Sequence, residues 1–302
     1  MEKGEGVKLD NLNSELEYIN EDKSSSQLGY LNEDFQLFHI KDKKNQEFEF
    51  HYHDFNKIII FLSGKVTYLI EGKAYYLKPW DILLVNNHDV HRPIIDSSEV
   101  YERIVIWANY DFISKHSYDG CDLSTCFKLA NEKSFNLVRL EARFQNALKL
   151  IIGSLEESLA STDFGNKLLS NSYFVQLMVY LNRVHLGNMY ITDKDSLRYD
   201  KRIEEVLNYI NSNLGNELSI EVLSEKFYIS KYYLMHKFKK ETGYTLHNYV
   251  VQKRLIMARD LIKGGEQVTK AALQCGFNDY SSFLRVFKKT FNKPPREFIM
   301  NA

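Results

Sequence analysis

Two short segments of this chain carry cationic side chains in the same pattern. YYLMHKFKK spans residues 232–240, and SSFLRVFKK spans residues 281–289, which is 49 positions later. In each copy the central phenylalanine, Phe238 or Phe287, shares one helix face with the apolar residue four positions before it. The two lysines that follow the phenylalanine point away from that face. Cations displayed in this way on two matched helices favour binding to a polyanion.

The charge of the chain is distributed unevenly, although the net charge of the 302 residues is only −1. From Ser196 to the end, 18 Lys plus Arg oppose 11 Asp plus Glu, which gives +7. The remainder has 21 against 29, which gives −8. A basic domain joined to an acidic one is the pattern expected when only the basic domain meets nucleic acid.

Each cationic segment follows a shorter predicted helix and a tight turn. Ser219 and Ser230 are predicted N-caps in the first unit. In the second unit Gly276 is predicted to end the upstream helix, and Asn278 with Asp279 to begin the next one. A helix, a tight turn and a basic helix, made twice, is the helix-turn-helix plan.

The segment between the two units is predicted to be one long helix. TLHNYVVQKRLIMARDLIKGG carries an apolar stripe and stops at Gly264 and Gly265. About 18 helical residues at 1.5 Å each span roughly 27 Å. With the bodies of the two units added, the basic helices would lie about 34 Å apart and enter successive major grooves of B-DNA.

Residues 203–299 resemble the DNA-binding domain of the AraC/XylS family of bacterial transcription regulators. The carrying motifs are LSIEVLSEKFYISKYYLMHKFKKETG, QKRLIMARDLI and VTKAALQCGFNDYSSFLRVFKKTFNKPPREF. The chain departs from the family at His236, where Arg is usual, and at Asn292, where Gly is usual. Arg254 lies on the joining helix, where a structural salt bridge and a DNA contact are equally open.

The resemblance implies which side chains meet DNA. Base edges are expected to be read from the first parts of the two basic helices, by Lys231, Tyr232, Met235 and His236 in one and by Asn278, Asp279, Tyr280, Ser281 and Arg285 in the other. Phosphates are expected to be held by Lys239, Lys240, Lys288 and Lys289.

The front half of the chain has the texture of β-structure. Short β-branched and aromatic runs alternate with turn signals from about residue 35 to 113, and KVTYLIEGKAYYL predicts a β-hairpin with its turn at Glu71-Gly72-Lys73. The predicted fold is α+β in two domains. Its divisions are a poorly ordered segment 1–30, a cupin-like barrel 31–135, a helical section 136–190 for connection or dimerisation, a linker 191–200 and a double helix-turn-helix domain 201–302.

HYHDFNKIIIFLSG and GKAYYLKPWDILLVNNHDVH resemble the cupin barrel that many AraC-type regulators use as a sensing domain. Cupin enzymes hold a metal with H-x-H, a Glu four residues later and a further His, but here Lys57 stands at the Glu position. A cation at that position would repel a divalent metal, so no metal or other cofactor and no catalytic residues are expected. The residues expected to contact an effector are His51, His53, Lys57, Tyr68, Trp80 and His91. For the histidines, ligand contacts and a purely structural role remain equally open.

The expected partners are double-stranded promoter DNA, a small effector with a carbohydrate as the first choice, RNA polymerase if the protein is an activator, and a second copy of the chain. Because the sequence has no apolar stretch of 18 residues and no signal-like N-terminus, we expect a cytoplasmic protein without a membrane partner. Two alternatives stand beside the regulator: a metal-dependent cupin enzyme with a nucleic-acid-binding tail, and a dimeric regulator that needs no ligand.

Overall fold

The N-terminal half of the chain folds into two antiparallel sheets. The computed structural model describes residues 31, 33–43, 48–187, 189–190 and 196–299. The strands in these ranges are β1 (Phe35–Asp42), β2 (Asn56–Ser63), β3 (Val66–Ile70), β4 (Lys73–Tyr76), β5 (Asp81–Val85), β6 (His91–Ile95), β7 (Tyr101–Ala108), β8 (Leu137–Arg139) and β9 (Leu197–Tyr199). The larger sheet has the order β1-β7-β2-β5-β8 and the smaller one the order β6-β3-β4-β9.

The larger sheet is buried on both of its faces. Ile59 and Leu83 belong to the cluster shared with the smaller sheet, whereas their neighbours Ile58 and Ile82 belong to the cluster shared with helices. A strand covered on both sides needs apolar side chains at successive positions rather than at every second one. This accounts for the continuous apolar run KIIIF in β2.

The predicted hairpin is confirmed as β3 and β4. Ile70 pairs with Lys73, so the loop consists of Glu71 and Gly72. Their φ angles of 46° and 77° are both positive, which is the backbone that two-residue hairpin turns require. The turn places the Glu71 side chain at the edge of the barrel, where it meets the C-terminal helices.

Four helices cover the outer face of the larger sheet. They are α1 (Tyr110–Lys115), α2 (Thr125–Glu132), α3 (Ala142–Ala160) and α4 (Asn166–Leu186). Helices α3 and α4 lie within the section predicted to be helical, and β8 precedes them in the same section. Helices α1 and α2 were not predicted, because six to eight residues are too few for a clear helical period.

The connection to the C-terminal helices is shorter than the polar composition of residues 191–200 suggests. Residues 191–195 lie outside the described ranges, as does the predicted N-terminal segment 1–30. Leu197–Tyr199 is strand β9, which pairs with β4. Asp200 alone separates this strand from α5 (Lys201–Ser212), and its side chain caps that helix by accepting from Arg202 N and Ile203 N. The end of the predicted linker is therefore part of the smaller sheet.

The C-terminal part is entirely helical among its described residues and has two cores. Its further helices are α6 (Ile220–Lys226), α7 (Lys231–Thr242), α8 (Leu246–Lys263), α9 (Val268–Gln274), α10 (Tyr280–Phe291) and a short 3-10 helix (Pro295–Phe298). Leu234 and Phe238 lie in the first core, and Phe283 and Phe287 lie in the second. Helix α8 contributes to both cores and has the predicted 18 residues. The α+β arrangement of a barrel followed by helices is thereby confirmed.

No helix in the described ranges is both long and apolar enough to cross a bilayer.

Candidate nucleic-acid interface

The first helix-turn-helix unit consists of α6 and α7. A serine N-cap stabilises the start of each of these helices. The Ser219 hydroxyl accepts from Val222 N at 3.4 Å, and the Ser230 hydroxyl accepts from Tyr233 N at 3.2 Å. Both caps were predicted, and each satisfies a backbone N–H that the helix itself leaves unpaired. Between them Tyr228 adopts a φ of 53°, which turns the chain sharply into α7. Helix α7 is thereby fixed at its first turn.

The second unit consists of α9 and α10 and has different caps. Gly276 follows the end of α9 with a φ of 76°, as predicted. The Asp279 carboxylate accepts from Ser281 N and Ser282 N at 3.2 and 3.0 Å. The hydrogen bonds with Ser282 are the main reason why the pKa of Asp279 lies below its usual value. This carboxylate caps α10, in agreement with the prediction that Asn278 and Asp279 begin this helix.

Helices α7 and α10 each divide into a buried and an exposed face. Leu234 and Phe238 in α7, and Phe283 and Phe287 in α10, are fully buried. All thirteen predicted DNA contacts are exposed, and all but Asn278 and Asp279 lie on the two helices: Lys231, Tyr232, Met235, His236, Lys239, Lys240, Asn278, Asp279, Tyr280, Ser281, Arg285, Lys288 and Lys289. In both units, therefore, the side chains predicted to contact DNA face solvent.

Local contacts already engage some of these exposed side chains. Lys231 forms an ion pair with Glu221 at 2.7 Å. The rings of Tyr232 and His236 lie 4.3 Å apart. Arg285 reaches the Ser282 hydroxyl only at 3.4 Å, so its guanidinium keeps most of its donors for other partners. Exposed contacts of this kind are weak and can be exchanged for contacts with DNA.

Arg254 joins the two units, a role that neither sequence alternative described. From α8 its guanidinium donates to Leu214 O at 2.8 Å on the first side and to Gly276 O at 3.0 Å on the second, and also to Asn216 O. All three acceptors are backbone carbonyls, so none of these contacts is a salt bridge. A side chain on Gly276 would come within 2.9 Å of this guanidinium. The contact holds the turn before α6 against the turn after α9.

A second cluster of functional interest lies at the edge of the barrel and consists of three histidines and a lysine. The ring nitrogens of His51, His53 and His91 lie within 4.8 Å of one another. The Lys57 ammonium donates to His53 Nε2 at 3.0 Å and lies 3.5 Å from His91 Nε2. Lys57 is 1% exposed. The sequence prediction that these four residues belong together agrees with their positions.

The electrostatics of this cluster favour neutral imidazoles at His53 and His91. Burial lowers the pKa of His53 well below its usual value, and the charge of Lys57 lowers it further. The pKa of His91 is lowered by burial first, then by His51 and Lys57. The ammonium contacts the Nε2 atoms of His53 and His91, whose lone pairs a metal would need. This donor set does not fit a divalent metal while Lys57 is present.

The remaining two predicted effector contacts are separated by the fold. The Tyr68 ring lies 6.1 Å from that of His91, so Tyr68 borders the cluster. Trp80 packs instead against the helix-covered face, with the ammonium of Lys149 from α3 4.5 Å from its ring. The sequence could not separate them, because strand spacing alone does not show which face of the barrel a ring occupies.

The histidine cluster lies directly behind a surface that contacts the C-terminal helices. Residues 50–54 run beside the start of β6, and His51 and His91 exchange backbone hydrogen bonds of 3.1 and 2.9 Å. Side chains alternate in an extended segment. His51 and His53 turn toward Lys57, whereas three alternate residues contact the C-terminal helices: Phe50, Tyr52 and Asp54.

Two ion pairs complete this contact between the domains, Arg259 with Asp54 and Lys253 with Glu71. Arg259 of α8 is 1% exposed and forms ion pairs with Asp54 and Asp260. Burial acts to raise the pKa of Asp54, but the hydrogen bond with His88 and the charge of Arg259 outweigh it, so that this pKa is lowered. Near the hairpin turn, Glu71 accepts from Lys253 at 2.8 Å.

Two family models match the chain. An AraC-like ligand binding domain matches residues 36–178, and a helix-turn-helix domain matches residues 223–301. Together they span about three quarters of the chain. The first contains the histidine cluster, and the second contains both basic helices.

The chain is also similar to individual proteins. The HTH-type transcriptional activator RhaS of Salmonella schwarzengrund is 25% identical over 264 residues, which cover 82% of this chain and 86% of RhaS. A probable AraC family regulator from Rhodopseudomonas palustris is 29% identical over 33% of this chain and 95% of its own, with a TM-score of 0.31. ToxT from Vibrio cholerae is 17% identical over 89% of this chain and 100% of its own, with a TM-score of 0.34.

The two matched domains stand in the order that the sequence predicted, and the basic helices fall within the second. The chain belongs to the AraC/XylS family of DNA-binding transcription regulators, with an N-terminal ligand-binding domain and a C-terminal helix-turn-helix domain.

Proposed function

We propose that this regulator binds promoter DNA through the outward faces of α7 and α10 at the same time. The observation that carries the proposal is the division of both helices, each of which buries its aromatic face and exposes its predicted contacts. Helix α8 spans roughly 27 Å, which supports a separation close to one turn of B-DNA. One duplex would then meet both units on one side.

Within this interface the side chains divide into two roles. Arg285 is suited to grip a guanine through two parallel hydrogen bonds, which discriminate by about 1–3 kcal/mol. The lysine pairs at the ends of α7 and α10 are suited to phosphates, where they add affinity and salt dependence but little sequence choice. The side chain of His236 is shorter than that of an arginine, and its contact with a base would be weaker.

A small effector bound by the N-terminal domain is proposed to control DNA binding, with a carbohydrate as the leading class. Candidate contacts at the barrel edge are His51, His53, Lys57, Tyr68 and His91. Trp80 is left out because it packs on the helix-covered face. A ligand here would touch the segment that also carries Tyr52 and Asp54 to the C-terminal helices. It would shift the arrangement of the domains by its differential affinity for the docked state.

A homodimer is proposed as the working form, with contact through the helical section. Around the connection from α3 to α4, Phe164 is fully exposed and Leu168 is 72% exposed. A group of large apolar side chains facing water favours a protein partner. A second copy would place four helix-turn-helix units on paired half-sites. If the protein is an activator, RNA polymerase is a further partner.

Replacing Arg285 and Lys288 separately by Ala tests the two roles on a duplex selected from a random pool. Arg285→Ala should relax the preference at one base pair, because the bidentate contact is lost. Lys288→Ala should weaken all duplexes alike and reduce the slope of log affinity against log salt by about 1. Fluorescence anisotropy across a salt series measures both effects. Arg202→Ala, an exposed arginine of α5, is the control. Wild-type affinity in both variants, or an equal loss in the control, would contradict the interface.

Sedimentation velocity tests the dimer. The double variant Phe164→Asp and Leu168→Glu should sediment as a monomer at concentrations where the wild type is dimeric, because two charges would have to be desolvated in the contact. Leu186→Asp, which changes an exposed leucine at the other end of α4, should leave the dimer intact. A monomeric wild type, or an unchanged double variant, would refute this surface.

Metal analysis after dialysis against Zn²⁺ tests the alternative of a metal-dependent enzyme. Wild type should retain no stoichiometric zinc, because the ammonium occupies the lone pairs of His53 and His91. Lys57→Met should gain zinc, because it removes the cation and frees three imidazoles, which are themselves a zinc ligand set. Lys57→Glu should retain about one zinc per chain, because three imidazoles and one carboxylate form a zinc ligand set. Circular dichroism verifies that both variants fold. Stoichiometric zinc in the wild type would instead favour the enzyme.

A further inference from the structure

The two basic helices present different side chains to solvent at matched positions. A shift of 49 residues aligns Tyr232 with Ser281, and the same shift aligns Met235 with Leu284. Leu284 is partly buried against the second core, whereas Met235 is 50% exposed. Tyr232 is 70% exposed at the position where the second unit carries a small serine. Helix α7 therefore exposes apolar surface at positions where α10 buries it or lacks it.

The turn before α7 shows the same difference between the units. Tyr228 is almost fully exposed, whereas its counterpart Phe277 is partly buried against the second core. Tyr232 and Met235 are three positions apart and therefore share one face of α7. Single exposed apolar side chains are common, but a group of them on one surface indicates contact with another molecule. The exposed apolar groups of the first unit therefore require a partner.

The polar side chains beside Met235 are already engaged. Lys231 forms an ion pair with Glu221 at 2.7 Å, and the ring of His236 lies 4.3 Å from that of Tyr232. Methionine has no hydrogen-bond donor, and its thioether sulfur is only a weak acceptor. A molecule that touches α7 at Met235 is therefore met mainly by apolar contact.

Met235 lies on the surface that the two units share. It lines a groove of about 700 Å³ together with Asn278, which lies just before α10. Lys239 and Lys240 continue the exposed face of α7, and the first turn of this helix carries no acidic residue. Cations beside apolar groups suit a polyanion that also presents apolar groups. In the major groove of B-DNA, thymine presents a C5-methyl group between the phosphate backbones.

We propose that α7 reads at least one thymine through apolar contact of Met235 and Tyr232 with its C5-methyl group. This inference rests on the proposed function, because it assigns a base to a helix that lies in the major groove. Among the four bases only thymine carries a methyl group there, so the contact selects a base without a hydrogen bond. The site on DNA is then asymmetric, with a thymine read by α7 and a guanine read by Arg285 of α10.

Deoxyuridine tests this inference, because it is thymidine without the methyl group and pairs with adenine in the same way. The full chain is titrated with the duplex selected from a random pool, in which each thymine is replaced in turn. At one or two positions the wild type should bind about fourfold more weakly, since burial of a methyl group is comparable to burial of a CH₂ group. These positions should lie roughly 10 base pairs from the guanine that Arg285→Ala identifies.

Two variants of α7 assign the effect to the proposed side chains. Met235→Gln keeps the length and the helix propensity of the side chain but makes its end polar, so the thymine and uracil duplexes should bind equally. Tyr232→Ser, which installs the residue found in the second unit, should reduce the difference. Met257→Gln is the matched control, because this methionine of α8 lines the cleft beside the ligand-binding domain. It should keep the difference seen in the wild type.

The possible results separate this inference from the DNA interface on which it rests. Loss of the difference in Met235→Gln with retention in Met257→Gln supports the methyl contact. Equal affinity of the wild type for thymine and uracil at every position overturns it, even where Arg285→Ala relaxes a guanine and so supports the interface. A difference that persists in Met235→Gln also overturns it, because another side chain then meets the methyl group. A wild type that selects no duplex overturns the interface and this inference together.

Discussion

The contact of Arg254 with backbone carbonyls on both sides fixes how the two helix-turn-helix units lie relative to each other. Two basic helices read one duplex only if their separation and direction are constant. Helix α8 supplies the separation, but a helix alone would let each unit rotate about its end. The guanidinium bonds to Leu214 O and Gly276 O remove this freedom, and the close approach of the turns leaves no space for a side chain at Gly276.

The ligand-binding domain is attached to this same helix. Lys253, Arg254 and Arg259 are near neighbours on α8, and they contact the hairpin turn, the paired units and Asp54 respectively. The barrel therefore contacts α8 close to Arg254. A change in the position of the barrel would act next to the Arg254 contact, which sets the geometry of the two units. This arrangement would give an effector of the kind proposed at the barrel edge a short physical route to DNA binding.

Periodicity and caps in the sequence predicted the helical domain closely. The repeated apolar positions, the serine caps and the glycine stop of α8 correspond to observed features, because each depends on neighbours within one or two turns. The role of Arg254 could not be predicted, since its acceptors are carbonyls 40, 38 and 22 residues away. The same limit applies to Trp80 and to strand β9. Their places depend on packing between distant segments, which local composition does not encode.

Spin-label distance measurements between the two basic helices test the central claim most directly. Labels at Lys240→Cys and Lys289→Cys, in a Cys121→Ser background that removes the exposed native thiol, report the relation of α7 to α10. With Arg254 present, the account predicts one narrow distance distribution that DNA leaves unchanged. With Arg254→Ala it predicts a broad distribution that narrows only on DNA. Equal distributions in the two proteins would contradict the claim that this arginine fixes the geometry.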